Sequence, residues 1–68
     1  MTLGKRLRKL RAIAGLSHSK LARRAQVPQS VIAAVEGERQ KSFSLDVATR
    51  LAGVLGVTVD QLAGKEER

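Results

Sequence analysis

The chain contains no cysteine, tryptophan or tyrosine, and only one phenylalanine. Without cysteine it cannot build a disulfide framework or a thiolate metal site, which fits a reducing compartment. The lack of aromatic rings disfavours single-stranded nucleic acid, whose bases stack on such rings. No apolar run approaches the roughly 18 residues of a membrane span, and no signal-peptide pattern opens the chain. We expect a cytoplasmic protein without a membrane partner.

Its length and charge define the class of protein further. Sixty-eight residues allow one domain, and 43% hydrophobic with 28% charged residues is typical of globular proteins. Thirteen Lys and Arg stand against six Asp and Glu, a formal net charge of +7. Such a balance indicates a polyanionic partner, and duplex DNA, an acidic protein or an anionic lipid would each satisfy it.

Apolar spacing predicts an all-α fold of five helices and no strands. The first helix spans about Leu3–Ala14, and the next two lie within the segment 16–37. The fourth spans about Leu45–Leu55, interrupted by Gly53. A short fifth helix starts at a capping box of Thr58 and Gln61 and buries Val59 and Leu62. We expect one domain over residues 1–64 and a frayed, charged tail over residues 65–68.

The segment Leu16–Gly37 predicts two short helices joined by a tight turn. Ser17 is positioned to cap the first of them. Val27 is expected to be the buried apolar residue of the turn. Pro28 is expected to occupy the first position of the next helix, which tolerates proline. The pattern then turns Ile32 and Val35 inward and leaves a small polar face outward, as in a DNA-binding helix-turn-helix.

Several blocks of the chain resemble the phage repressor and Cro-like helix-turn-helix family, which includes lambda-repressor-like domains and xenobiotic-response-element-type regulators. They are LGKRLRKLR, GLSHSKLARRA, QSVIAAV and LDVATRLAGVLGVTVDQL. The resemblance covers nearly the whole chain. It implies a compact five-helix, lambda-repressor-like domain, bacterial or phage-encoded and nucleoid-associated. It also implies a transcriptional repressor that binds an inverted repeat in double-stranded DNA as a weak or DNA-assisted homodimer.

The outer face of the third helix provides the candidate base-reading residues. A Gln amide can bond adenine N6 and N7 together, Ser suits donor or acceptor edges, and an Ala methyl suits thymine. The alternative is that Gln29 and Ser30 are solvated surface residues of the first helical turn with no partner. By resemblance and placement, the base-contacting residues are Gln29, Ser30, Ala33 and Ala34.

The candidate phosphate-binding residues lie at the start of the second helix and in the loop after the third. His18 departs from the family, where this position is usually Gln. Its imidazole N–H has the chemistry to hold a phosphate and to make binding pH-sensitive; alternatively it is a neutral surface residue. The loop residues are flexible donors that position without reading sequence, or simply a solvated basic loop. The full set is Ser17, His18, Arg39, Gln40, Lys41 and Ser42.

Three further expectations concern structure. Arg11 and Glu36 occupy positions that form an ion pair between the first and third helices in this family. Gln26 stands where the family usually has Gly in a left-handed turn, so we expect strain there. Ile13 and Val54 sit where relatives are often polar or small, which marks them as candidate dimer contacts or as ordinary scattered apolar residues.

A second function also fits this sequence: an antitoxin-type module that neutralises a partner protein and regulates its own operon. The partner would then be a toxin or a larger regulatory protein. An enzyme is disfavoured, because a lone His, no Cys and carboxylates mostly at caps and in the tail offer no acid–base pair. We expect no catalytic residue, no metal site and no cofactor.

Overall fold

The computed structural model of the protein describes residues 1–64, which form five helices and no strand. The all-α prediction is therefore confirmed for this part of the chain, while the expected tail at 65–68 lies outside the described residues. The helices are α1 (Leu3–Ala14), α2 (His18–Ala25), α3 (Gln29–Glu36), α4 (Leu45–Leu55) and α5 (Val59–Ala63).

Most helix boundaries follow from local capping chemistry. The hydroxyls of Thr2, Ser17, Ser44 and Thr58 each accept a hydrogen bond from the backbone N–H three residues later. The capping box predicted at the start of α5 is present. Glycines in the left-handed conformation follow α1, α4 and α5, since this conformation is the one that closes a helix C-terminus.

Two details differ from the sequence-based expectations. Pro28 is not the first residue of α3 but its N-cap, in an extended conformation with φ −63° and ψ 135°. Gly53 does not interrupt α4, which continues through it to Leu55. A single glycine costs a helix only about 1 kcal/mol, and the burial of the adjacent Leu51 and Ala52 outweighs that cost.

The core is built from aliphatic side chains of all five helices. α1 packs against α3, α4 and α5, and α2 packs against α3 and α4. Packing against α1 and α2 buries one face of α3 and leaves the opposite face towards solvent. The largest fully buried side chains are Leu7, Leu21, Ile32, Val35, Leu51 and Leu62.

Gly4 allows α1 to approach the end of α3 closely. A Cβ at this position would overlap the carbonyl oxygen of Val35 and stand 3.3 Å from the Cα of Glu36. Because the obstacle is backbone, no side-chain rotation would relieve it. Gly4 thus fixes the distance between α1 and the helix that carries the candidate base-reading residues.

Candidate nucleic-acid interface

The turn between α2 and α3 is rigidly closed. Gln26 has φ 58° and ψ 45°, the left-handed conformation expected at this position. The N–H of Val27 donates to the carbonyl of Ala22 at 3.0 Å, and the Val27 side chain is buried. This arrangement ends α2 with the hydrogen bond of a Schellman cap and sets the direction in which α3 departs.

Arg50 connects this turn to α4. Its Nη1 donates to the carbonyl oxygen of Gln26 at 3.2 Å, and its Nε donates to Asp46 one helical turn earlier at 3.1 Å. Local sequence patterns do not indicate this contact, because it joins residues 24 positions apart. Arg50 therefore supports the turn that precedes α3.

α3 presents a small, polar outer face on a firmly packed helix. Ile32 and Val35 are fully buried, whereas Gln29 and Ser30 are exposed. Positions 33 and 34 follow these two residues by three to five positions, which places them on the same side of the helix. Their side chains are half-buried alanines. The four predicted base-contacting residues therefore lie on the side of α3 that faces away from Ile32 and Val35.

The first turn of α3 has no side-chain cap from its N-cap residue, Pro28. The N–H of Val31 in this turn donates to the carbonyl of Pro28 at 3.1 Å. The N-terminal end of a helix carries a partial positive charge. Gln29 and Ser30 lie in this turn, the part of a helix-turn-helix that meets base edges.

The loop after α3 is anchored to α3 itself. The backbone N–H groups of Arg39 and Gln40 donate to the carbonyl of Ala34 at 2.8 and 3.2 Å. The amide of Gln40 donates to the carbonyl of Ser42 at 2.8 Å. The side chains of all four predicted loop donors, residues 39 to 42, are exposed. They are held close to the C-terminal end of the helix whose outer face is described above.

Ser17 and His18 begin α2, and both have partners within the protein. The Ser17 hydroxyl accepts from the N–H of Lys20 at 3.1 Å. The Nε2 atom of His18 lies 2.9 Å from Oε1 of Glu36, and its side chain is 34% exposed. One ring nitrogen of His18 is therefore engaged by Glu36, while part of the ring remains accessible.

A single buried carboxylate joins three helices. The Glu36 side chain, only 2% exposed, receives two hydrogen bonds from Arg11: Nε to Oε2 at 2.8 Å and Nη2 to Oε1 at 3.0 Å. Arg8 approaches the same Oε1 atom at 3.6 Å. Arg11 also donates from Nη1 to the carbonyl of Leu16 at 2.9 Å. The Glu36 cluster, consisting of Glu36, Arg11, His18 and Arg8, ties α1 and the start of α2 to the end of α3.

Charge within the Glu36 cluster is well compensated. Burial by itself raises the pKa of Glu36, but the hydrogen bonds from Arg11 and His18 outweigh it, so the pKa lies below its ordinary value. The hydrogen bond to Glu36 raises the pKa of Arg11. Glu36 is therefore ionised at neutral pH, and its two oxygens act only as hydrogen-bond acceptors.

Three contacts are not among those expected from the sequence: those of His18 and Arg8 with Glu36, and the close approach at Gly4. The first two join separate helices, and no periodicity encodes them. Gly4 had a signal: a glycine within the first turn of a helix otherwise rich in good helix formers indicates a packing requirement. Another unpredicted contact runs from the hydroxyl of Thr2 to Oε2 of Glu38 at 2.9 Å.

Other surface features lie away from the outer face of α3. An apolar groove of about 400 Å³ is lined by α1, α4, α5 and the loop residues Lys41 to Phe43. Leu45 at its border is 74% exposed, and Ile13 on α1 is 73% exposed, whereas Val54 is half-buried against the core.

Across residues 1–64, no group of three or more His, Asp or Glu residues is placed to hold a metal ion. No helix there is long and apolar enough to cross a membrane.

Two packed helices, a closed turn and an outward-facing second helix define the class of protein as a helix-turn-helix domain, a motif that places its second helix in the major groove of DNA. A family model described as a helix-turn-helix domain matches residues 2–63. The chain therefore belongs to the helix-turn-helix domain family, which supports DNA as its partner. Among curated proteins, no significant match was found.

Proposed function

We propose that this protein is a sequence-specific regulator of transcription that reads double-stranded DNA with α3. The observation that carries the proposal is the outer face of α3, where exposed Gln29 and Ser30 stand beside two alanines on a helix fixed by the buried Ile32 and Val35. Gln and Ser match base-edge donors and acceptors, and alanine methyl groups match thymine. The bases are contacted by Gln29, Ser30, Ala33 and Ala34.

The surrounding donors hold the DNA backbone and carry no sequence information. Ser17 and His18 contact phosphates from the start of α2. The side chains of Arg39, Gln40, Lys41 and Ser42 contact them from the loop after α3. The net charge of +7 supports this division, because phosphate contacts supply most of the sequence-independent affinity for DNA.

We further propose a repressor that binds an inverted repeat as a homodimer, with the two copies of α3 about one DNA turn apart. The resemblance to phage repressors and Cro-like proteins supports this assignment. Dimerisation is weak without DNA and uses the region of α4 and α5, where the exposed Leu45 borders the apolar groove. Sedimentation should show monomers alone and two copies on a palindromic duplex. One copy per duplex would contradict the dimer.

Selection from a random duplex library tests base reading. The selected sequence is expected to bind roughly 10³-fold more tightly than its scrambled version. Gln29→Ala should reduce that preference by about 1–3 kcal/mol, because a bidentate contact to a base is lost.

The matched control is Gln40→Ala, which removes the same side chain from the loop. It should weaken binding to the selected and scrambled duplexes equally, because a phosphate contact does not discriminate between sequences. If wild type binds the two duplexes with equal affinity, α3 does not read bases and the protein only grips phosphates.

A further inference from the structure

His18 has one ring nitrogen committed to a carboxylate and the other uncommitted. Its Nε2 atom is 2.9 Å from Oε1 of Glu36. An ionised carboxylate accepts hydrogen bonds but donates none, so Nε2 must be the atom that carries hydrogen. In the neutral imidazole the single N–H is then used up, and Nδ1 holds a lone pair.

A DNA phosphate is also only an acceptor. The neutral ring therefore has no hydrogen on Nδ1 to donate to the phosphate. The lone pair of Nδ1 and a lone pair of the phosphate oxygen repel each other. The imidazolium ion carries hydrogen on both nitrogens and donates to Glu36 and to a phosphate at the same time. Such a charge-assisted bond is shorter and stronger than a neutral one.

The charged groups around His18 are compatible with this arrangement. From α3, Glu36 faces the ring directly, and from α1, Arg11 and Arg8 share the Glu36 carboxylate. α4 also packs against α2, but its Arg50 contacts Gln26 at the opposite end of α2 and pairs there with Asp46. On α2 itself, Lys20 is two residues further along and exposed.

We propose that His18 binds a DNA phosphate only as the imidazolium ion, so that DNA binding takes up a proton, with Glu36 as the positioning residue that fixes the ring. This inference rests on the proposed function, since it concerns the phosphate grip of the same interface. The affinity for DNA then rises as the pH falls. The base-reading face of α3 takes no part in this change.

The test uses a short duplex of fixed, arbitrary sequence, because a phosphate contact requires no operator. Wild type should bind it roughly tenfold more tightly at about pH 5.5 than at about pH 8. His18→Gln keeps an amide donor that does not titrate, and its affinity should be the same at both pH values. Calorimetry in buffers of different ionisation enthalpy should show proton uptake on binding by wild type and none by the variant.

The ring itself reports on the mechanism. Because the chain contains one histidine, ¹⁵N NMR of its imidazole is unambiguous, and the neutral form should carry hydrogen on Nε2. Melting curves at both pH values establish that wild type and variant remain folded throughout.

Equal pH dependence in wild type and His18→Gln would overturn the inference, as would a neutral ring protonated on Nδ1. In either case DNA binding itself would persist, so the proposed function would stand. Failure of wild type to bind the duplex at any pH in dilute salt would overturn both.

Discussion

At the scale of single residues, Gln26 combines a strained backbone with an essential position. Its φ of 58° lies in the left-handed region, which costs a residue with a Cβ about 1–2 kcal/mol relative to the right-handed region. Glycine has no such cost. The side chain is exposed, and the contact from Arg50 is made to the backbone carbonyl, so removal of the side chain leaves that contact in place.

Gln26→Gly is therefore expected to stabilise the protein by about 1 kcal/mol, a rise in Tm of about 5 °C. Thermal unfolding followed by circular dichroism measures this change. The control is Gln40→Gly in the loop, where φ is not positive. The added freedom of the unfolded chain and the loss of the hydrogen bond to the Ser42 carbonyl should both lower stability there. A lower Tm for Gln26→Gly would mean that the turn does not need its left-handed residue.

The residues of the candidate site differ in how far the sequence predicts them. The exposure of Gln29 and Ser30 can be predicted, because burial of Ile32 and Val35 leaves the opposite face of α3 towards solvent. The partner of His18 is not foreseeable, because it depends on how closely the start of α2 approaches the end of α3. Local periodicity contains no information on that distance.

At the scale of helices, two glycines in helical positions have opposite roles. Gly4 lies against the backbone of Val35 and Glu36, whereas a Cβ at Gly53 would meet nothing within 4 Å. The first glycine is required by packing between helices, and the second only weakens its own helix.

Gly4→Ala is expected to destabilise the protein by about 1–3 kcal/mol, since the added methyl group forces α1 away from α3. Gly53→Ala, its matched control, should stabilise by about 0.5–1 kcal/mol through helix propensity alone. Urea unfolding of both variants gives the two free energies. Equal effects of the same sign would show that α1 and α3 are not in close backbone contact.

The helix ends were predictable for a related reason. Hydroxyl caps and terminal glycines act within three or four residues, so the limits of α1 and α4 follow directly from the sequence. The prediction for Pro28 is one residue too far into α3, since a proline fits both an N-cap and a first helical position. The assembly of the helices depends on contacts such as Gly4 with Val35, which the sequence marks only by an unusual residue.

At the scale of the whole molecule, Glu36 links stability to pH, since it connects α1, α2 and α3. Its pKa in the folded protein is below the ordinary value of 4.5. A lowered pKa stabilises the fold fully above the pKa of the unfolded chain. That contribution declines as the pH falls below about 4.5 and is lost once the pH passes the folded value.

Glu36→Gln should therefore lower the free energy of unfolding at pH 7 by about 1–3 kcal/mol, since Arg11 loses its ionised partner. It should also flatten the dependence of stability on pH below about pH 5. Urea unfolding across this range measures both effects. Glu38→Gln, at an exposed carboxylate bonded to Thr2, is the control and should change neither by much. A wild-type slope retained in Glu36→Gln would assign acid sensitivity to another carboxylate.

The position of Leu62 has a consequence for the synthesis of the protein. Its side chain is 1% exposed, and α5, which carries it, packs against both α1 and α4. Among residues 1–64, every other fully buried side chain precedes it in the sequence. A nascent chain on the ribosome therefore cannot complete its core until α5 has left the exit tunnel, however early α1 to α3 emerge. Until then, the apolar surfaces of α1 and α4 that α5 covers remain accessible to chaperones and proteases.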